Sequence, residues 1–332
     1  MLQTPFVNSS FLNQFSELVR IRGGNARALS QKVGLSSEIL NGPHLPIPFS
    51  QFIALLELVA DELDYPEISF ALANRQDISI IGPLGSMLDD CQNVADVMGV
   101  IQQYLSVIVS GIEIEIKENN GLLEFCLHCQ LPLLYDQPQF QYYLIASVTK
   151  VLKELVGRKY SIRGCFFTRV EHDVKKIRHF SNLLGCPVGF GNEQLKVTMD
   201  SSVLQESALG IRNYIHARMR TFMDIQTEYI EHVSRVISIF LPSGKVDIET
   251  IAQSMGYSPR TLQRRLKDSS SSFKYLLDSV RINHANQYLF TTQYSLTDIS
   301  TLLGYSNLSA FTRAYHRWHG INPRDARVIK SH

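Results

Sequence analysis

Ile248-Glu249-Thr250-Ile251-Ala252-Gln253-Ser254-Met255-Gly256-Tyr257-Ser258-Pro259-Arg260-Thr261-Leu262-Gln263-Arg264-Arg265-Leu266-Lys267 is answered further on by Leu296-Thr297-Asp298-Ile299-Ser300-Thr301-Leu302-Leu303-Gly304-Tyr305-Ser306-Asn307-Leu308-Ser309-Ala310-Phe311-Thr312-Arg313-Ala314-Tyr315-His316-Arg317. In each stretch a short amphipathic helix runs to a glycine, then Tyr-Ser, then a longer helix. Gly256 and Gly304 can take the left-handed conformation that stops a helix cleanly. Ser258 and Ser306 stand where the following helix needs an N-cap. Ala252 and Ser300 are small where two helices must cross closely. Ile251, Met255, Leu262 and Leu266 form one apolar inner stripe, and Ile299, Leu303, Phe311 and Tyr315 form the other. This is a duplicated helix-turn-helix plan, whose second helix enters the major groove of DNA.

The outward faces carry the chemistry. Arg260, Gln263, Arg264 and Lys267 recur at spacings of three and four, which puts them on one exposed face. Arginine pairs bidentately with guanine and glutamine with adenine, so the first three suit base reading. Asn307, Ser309, Thr312 and Arg313 point similarly on the second helix, with Arg317 a turn further on. Phe273–Phe290 reads as a long helix holding the units apart, so the two reading helices are expected in successive major grooves roughly 34 Å apart. Arg265 and Arg281 lie off these faces and are read as structural ion-pair partners, and Trp318 as core.

These residues resemble the DNA-binding domain of the AraC/XylS family of bacterial transcriptional regulators, from Glu231 to Arg327. The match includes a terminal signature running from Gly304 through Trp318-His319-Gly320-Ile321-Asn322-Pro323. The resemblance implies base contacts at Arg260, Gln263, Arg264, Ser309 and Arg313, and phosphate contacts at Lys267, Thr312 and Arg317. Many members carry Tyr-Arg after the proline, where this chain has Ala326-Arg327, which puts the packing of the last turn in question. Upstream, Ile81-Gly82-Pro83-Leu84-Gly85, a helix, a hairpin, and Phe180–Gly185 leading to Pro187-Val188-Gly189-Phe190 are similar to the arabinose-binding-like sensor domain of the ornithine-regulator branch. That resemblance implies ligand sensing and dimerisation but carries over no effector contact.

Read from the residues, the first two thirds are mixed. Residues 6–75 read as helical around a loop marked by Pro43, Pro46 and Pro48. A helix follows at Val94–Val109, then Ile112, Ile114 and Ile116 alternate with Glu113, Glu115 and Lys117 as a half-buried strand. Asn119-Asn120-Gly121 signals a turn into a returning strand, Leu122–Leu131. Further elements are expected as a helix at Gln139–Val156, a strand near Tyr160–Val170, a helix at Lys175–Leu184 and a strand at Gln194–Met199. The expected architecture is an α+β N-terminal sensor domain (1–205), a connecting helix (206–228) and an all-α C-terminal domain (229–332) with two helix-turn-helix units joined by a linker helix.

Charge is divided in the same way. From residue 231 onward there are 13 Lys and Arg against 7 Asp and Glu, while the remainder carries 19 against 24. Only the basic part is expected to meet a polyanion. A composition 45% hydrophobic and 19% charged excludes a disordered chain. No apolar run is long enough for a membrane helix and the first residues do not read as a signal peptide, so a cytoplasmic, non-membrane protein is expected.

Other chemistries find little support. Five scattered cysteines argue against a disulfide framework. Cys126-Leu127-His128-Cys129 lacks the second ligand pair of a structural zinc site, so neither metal nor cofactor is expected. There is no Gly-x-Ser-x-Gly elbow and no phosphate loop, and the adjacency of His172 and Asp173 is not a catalytic arrangement. Ala26–Leu40 imitates a third helix-turn-helix, but Ser36, Ser37, Glu38 and Asn41 offer phosphates no cation, so it reads as a packed helical pair. The expected partners are double-stranded promoter DNA, a small-molecule effector, RNA polymerase and a second copy of the chain. The alternatives are a sequence-tolerant architectural DNA-binding protein, or a small-molecule enzyme with a DNA-targeting module.

Overall fold

The computed structural model describes residues 5–40, 46–76, 88, 90–156, 161–211, 213, 229–269 and 271–329. The Ile81–Gly85 motif, Pro43 and all but the first residues of the connecting helix lie outside them.

The hairpin signalled by Asn119-Asn120-Gly121 organises the first part. Asn120 and Gly121 both have positive φ, 52° and 77°, the pair of values that a two-residue turn needs to follow the twist of its strands. It joins β3 (Ile112–Asn119) to β4 (Leu122–Cys129) in antiparallel register, Ile114 opposite Leu127. The sheet continues through β7 (Lys196–Asp200) to β5 (Ile162–Phe166) and β6 (Val188–Gly189), in the order β3-β4-β7-β5-β6. Among the described residues only β5 and β6 run parallel. That crossover is made by helix α8 (Val174–Leu184), capped by the Asp173 side chain and stopped by Gly185 at φ +67°.

The remaining helices of this part are α1 (Phe15–Ile21), α2 (Ala26–Lys32), α3 (Phe49–Glu62), α4 (Ile68–Arg75), α5 (Val94–Ile108), α6 (Pro132–Tyr135) and α7 (Pro138–Val156). Helix α7 contacts β5 and β7 of the sheet and is packed in turn by α3 and α4. Its buried rings hold these layers together: Tyr143 meets Phe52 edge-on at 4.8 Å, and Tyr142 lies 4.8 Å from Phe180.

Several expectations change. Residues 6–75 are not all helical, because β1 (Phe6–Asn8) pairs with β2 (Pro46–Pro48). Strands of three residues are too short to show a period. The strand expected over Tyr160–Val170 is only Ile162–Phe166, and β6 was not foreseen at all. Leu122–Leu131 ends at Cys129, and Gln194–Met199 moves to Lys196–Asp200. After α2, the second helix of the imitation helix-turn-helix is a single 3-10 turn, Ser37–Leu40, too short to read a groove.

The C-terminal part is helical: α9 (Tyr229–Phe240), α10 (Ile248–Ser254), α11 (Pro259–Asp268), α12 (Phe273–Thr291), α13 (Leu296–Leu302), α14 (Leu308–His319) and α15 (Pro323–Ile329). Helix α12 serves two cores. Leu276 and Val280 on its first half pack with Ile251, Leu262 and Leu266 of the first unit. Ala285, Tyr288 and Leu289 on its second half pack with Ile299, Leu303, Phe311 and Tyr315 of the second. Ala326 is buried in that second core and Arg327 Nε donates to the Leu289 carbonyl at 3.3 Å, so the departure from the family pattern leaves the last helix packed.

At the middle of α12, His284 is buried with Nε2 3.0 Å from Ser238 Oγ of α9 and no partner at Nδ1. Burial pulls its pKa down to about 4. A histidine held below its unfolded value of roughly 6.5 contributes stability that is complete above that pH and is lost as pH falls toward 4. Denaturant titrations followed by Trp318, the one tryptophan of the chain, are expected to show about 2 kcal/mol less stability at pH 5 than at pH 7 from this group. His284→Asn removes that share of the pH dependence.

Candidate nucleic-acid interface

Both turns are built alike. Gly256 and Gly304 have φ of +69° and +68°, and the amide after each reaches back to the small residue of the preceding helix. Tyr257 N donates to the Ala252 carbonyl at 2.8 Å and Tyr305 N to the Ser300 carbonyl at 2.9 Å. Ala252 and Ser300 are buried, which explains their size. A Cβ on Gly304 would stand 2.5 Å from the Leu241 carbonyl oxygen, so this position excludes side chains for space as well as for conformation.

Ser258 caps α11, its hydroxyl accepting from Thr261 N at 3.2 Å, with Pro259 at the first helical position. The second unit departs from expectation here. Asn307, not Ser306, is the N-cap of α14, its Oδ1 accepting from Ala310 N at 2.9 Å. An extra residue precedes the helix, and asparagine caps as well as serine does. The Asn307 amide, expected on the reading face, is therefore engaged in holding the helix start.

Leu262 and Leu266 turn inward on α11, while Arg260, Gln263, Arg264 and Lys267 are exposed together. On α14, Phe311, Ala314 and Tyr315 are buried, and Ser309 and Arg313 are exposed. Thr312 is half-buried and its hydroxyl donates to the Leu308 carbonyl at 2.9 Å. Arg317 lies 3.6 Å from Asp278 of α12 with most of its side chain in solvent, so it ties α14 to the linker helix while remaining open to a phosphate.

Neither Arg265 nor Arg281 is primarily an ion-pair partner, contrary to the sequence reading. Each covers the tyrosine of a turn. Arg265 stacks 4.5 Å from the Tyr257 ring centre and donates to its hydroxyl at 2.8 Å, with the ring centre of Tyr229 of α9 also within 5.9 Å. Arg281 stacks 4.3 Å over Tyr305 and donates from Nε to the Leu303 carbonyl at 3.0 Å and from Nη2 to the Gly304 carbonyl at 3.3 Å. Burial lowers the Arg281 pKa, a cost offset by acceptors that the end of α13 would otherwise leave unpaired. The repeated Gly-Tyr-Ser was the signal for these pairs, since a half-buried tyrosine duplicated in two turns needs a matching cover. Tyr315 adds a bond to Asn286 Oδ1 at 3.1 Å, so the C-terminal half of α14 is tied to α12 at two points.

Comparison with known proteins follows this geometry. Residues 23–208 match the model of the arabinose-binding domain of AraC transcription regulators, N-terminal, and residues 251–328 match a helix-turn-helix domain model. The chain belongs to the AraC family of transcription regulators. Among the relatives is the HTH-type transcriptional regulator VirS of Mycobacterium tuberculosis, 25% identical over 95% of this chain and 94% of its own. The ornithine utilization regulator of Pseudomonas aeruginosa is 26% identical over 94% and 93%. The crystal structure of the transcriptional regulator CdpR from Pseudomonas aeruginosa covers 82% of this chain and 90% of its own, at 19% identity and a TM-score of 0.41. An N-terminal α/β sensor domain and a C-terminal DNA-binding domain thus make up this family member.

Gly304→Ala is expected to cost more than the roughly 1–2 kcal/mol of left-handed backbone alone, because the Leu241 carbonyl must also move. Urea unfolding followed by Trp318 fluorescence measures it; a loss below about 1 kcal/mol would show that the contact yields freely.

Proposed function

We propose that this protein is a ligand-responsive, sequence-specific transcription regulator that lays α11 and α14 into successive major grooves on one face of promoter DNA. The single observation that carries this reading is the shared helix α12, which mounts two glycine-turned units with their cationic and amide side chains outward. Arg260, Gln263, Arg264, Ser309 and Arg313 are the proposed base readers. Lys267, Thr312 and Arg317 are the proposed phosphate contacts, with the Asn307 amide serving the helix start. The proposed division is residues 1–205 for sensing and dimerisation, 206–228 for a connecting helix and 229–332 for DNA binding.

Action by binding rather than by catalysis agrees with the full-length relatives, which are named as regulators. No helix among the described residues is long and apolar enough to cross a membrane, and we place the protein in the cytoplasm with its promoter. A homodimer doubles the number of reading helices and raises the effective concentration of the second pair. RNA polymerase is the proposed downstream partner.

The test is binding of the full chain to a duplex selected from random sequence, compared with scrambled duplex at fixed salt. Arg264→Ala and Arg313→Ala are each expected to cost about 1–3 kcal/mol and to relax preference at one base position. Arg317→Ala is expected to weaken all sequences equally and to lower the salt slope by about one. Equal affinity of the wild type for selected and scrambled DNA would overturn the sequence-specific reading.

A further inference from the structure

The sensor domain holds a partly open cavity of about 130 Å³ between β3, β4, α5 and α7. Ile114 and Phe125 line it from the sheet, Met98, Ile101 and Leu105 from α5, and Val148 from α7. The polar groups on its wall are mostly spoken for. Tyr143 donates from its hydroxyl to Gln76 Oε1 at 2.8 Å, and Gln76 Nε2 donates to the Phe11 carbonyl at 2.7 Å. Gln102 Nε2 is held by the Ile114 carbonyl at 2.7 Å, and Lys150 by Glu154 Oε1 at 2.8 Å. Glu154 Oε2 and Ser147 Oγ are left buried without a hydrogen-bond partner.

We infer that the effector is an uncharged, hydrocarbon-rich small molecule with one or two hydrogen-bonding groups, and that it acts through α5. This rests on the ligand-responsive reading above and names the ligand class for it. A pentose would bring several hydroxyls into a wall of carbon, each costing about 1–3 kcal/mol when left unpaired. An amino acid would bring a carboxylate as well as an ammonium, and the one cation among the described residues of this wall, Lys150, is already paired with Glu154. A dry cavity of comparable size, about 150 Å³ and lined by aliphatic and aromatic side chains, takes benzene. An aliphatic or aromatic alcohol fits the same space and can donate its one hydroxyl to Glu154 Oε2.

Helix α5 connects this cavity to the DNA-binding part. Met98, Ile101 and Leu105 face the cavity, while the next residues round the helix meet Lys245, two positions before the N-cap of α10. Lys245 Nζ donates to the Gln103 carbonyl at 3.3 Å and stands 5.3 Å from the Tyr104 ring centre. The same helix contacts α9 and the turn that follows it. A molecule that fills the cavity in one setting of α5 better than in another shifts the attached module, as differential affinity requires.

The experiment uses the full chain with 1-hexanol, benzene, L-arabinose and L-ornithine, read by thermal shift and calorimetry, and by DNA affinity in the same samples. Hexanol and benzene are expected to bind saturably, with a Tm rise of about 2–4 °C near ten times Kd, and arabinose and ornithine not at all. Val148→Phe and Val151→Phe, which place a ring in the cavity, are each expected to weaken hexanol at least about tenfold. Glu154→Leu weakens hexanol and leaves benzene unchanged. Lys245→Ala keeps hexanol binding but loses its effect on DNA affinity. Selective binding of arabinose or ornithine by the wild type overturns the inference, as does hexanol binding that survives both ring-bearing variants. A wild type that binds DNA specifically yet takes neither hexanol nor benzene overturns it too, and leaves the regulator reading standing.

Discussion

One helix belongs to two hydrophobic cores, and the recognition surface depends on that. The first half of α12 gives Leu276 and Val280 to the first unit, and its second half gives Ala285, Tyr288 and Leu289 to the other. Rotating one unit against the other would therefore uncover apolar surface in at least one core, at roughly 25 cal/mol for each Å² exposed. The polar clamps on α12 add direction to this. Arg281 holds the end of α13 by two carbonyls, Asn286 holds Tyr315 of α14, and Asp278 lies beside Arg317. The two exposed faces proposed to read bases become a fixed pair because neither can turn alone.

Much of this was legible before any coordinates, because the information was local. The glycine turns, the Ser258 cap and the inward stripes follow from conformational preference and helical period, and the structure places them as expected. What sequence could not supply was contact across distance. The roles of Arg265 and Arg281 depend on tyrosines eight residues back and twenty-four residues ahead, so a generic ion-pair reading stood in for cation–π stacking and carbonyl capture. The exchange of Ser306 for Asn307 as the cap is of another kind, since two good capping residues in a row leave the helix start undetermined by one position.

The sensor domain was less legible for physical reasons. Its hairpin declared itself through Asn120-Gly121, but β1, β2 and β6 have two or three residues each and no period to detect. Their pairing is decided by burial and by partners far along the chain, such as Phe6 opposite Pro48. Ile114 and Ile116 alternate with charge as a half-buried strand should, yet they line a cavity rather than plain core. A pattern of alternation cannot distinguish packed from hollow.

Helix α5 touches the cavity on one side and the approach to α10 on the other. The proposed function requires a single chain to carry two reading helices at a fixed spacing. Hydroxyl-radical footprinting of the full chain on a selected duplex tests that claim most directly. Each protomer is expected to protect two patches on one face of the duplex, about 10–10.5 base pairs apart centre to centre. A single protected patch per protomer, or protection spread evenly along the duplex, would contradict it.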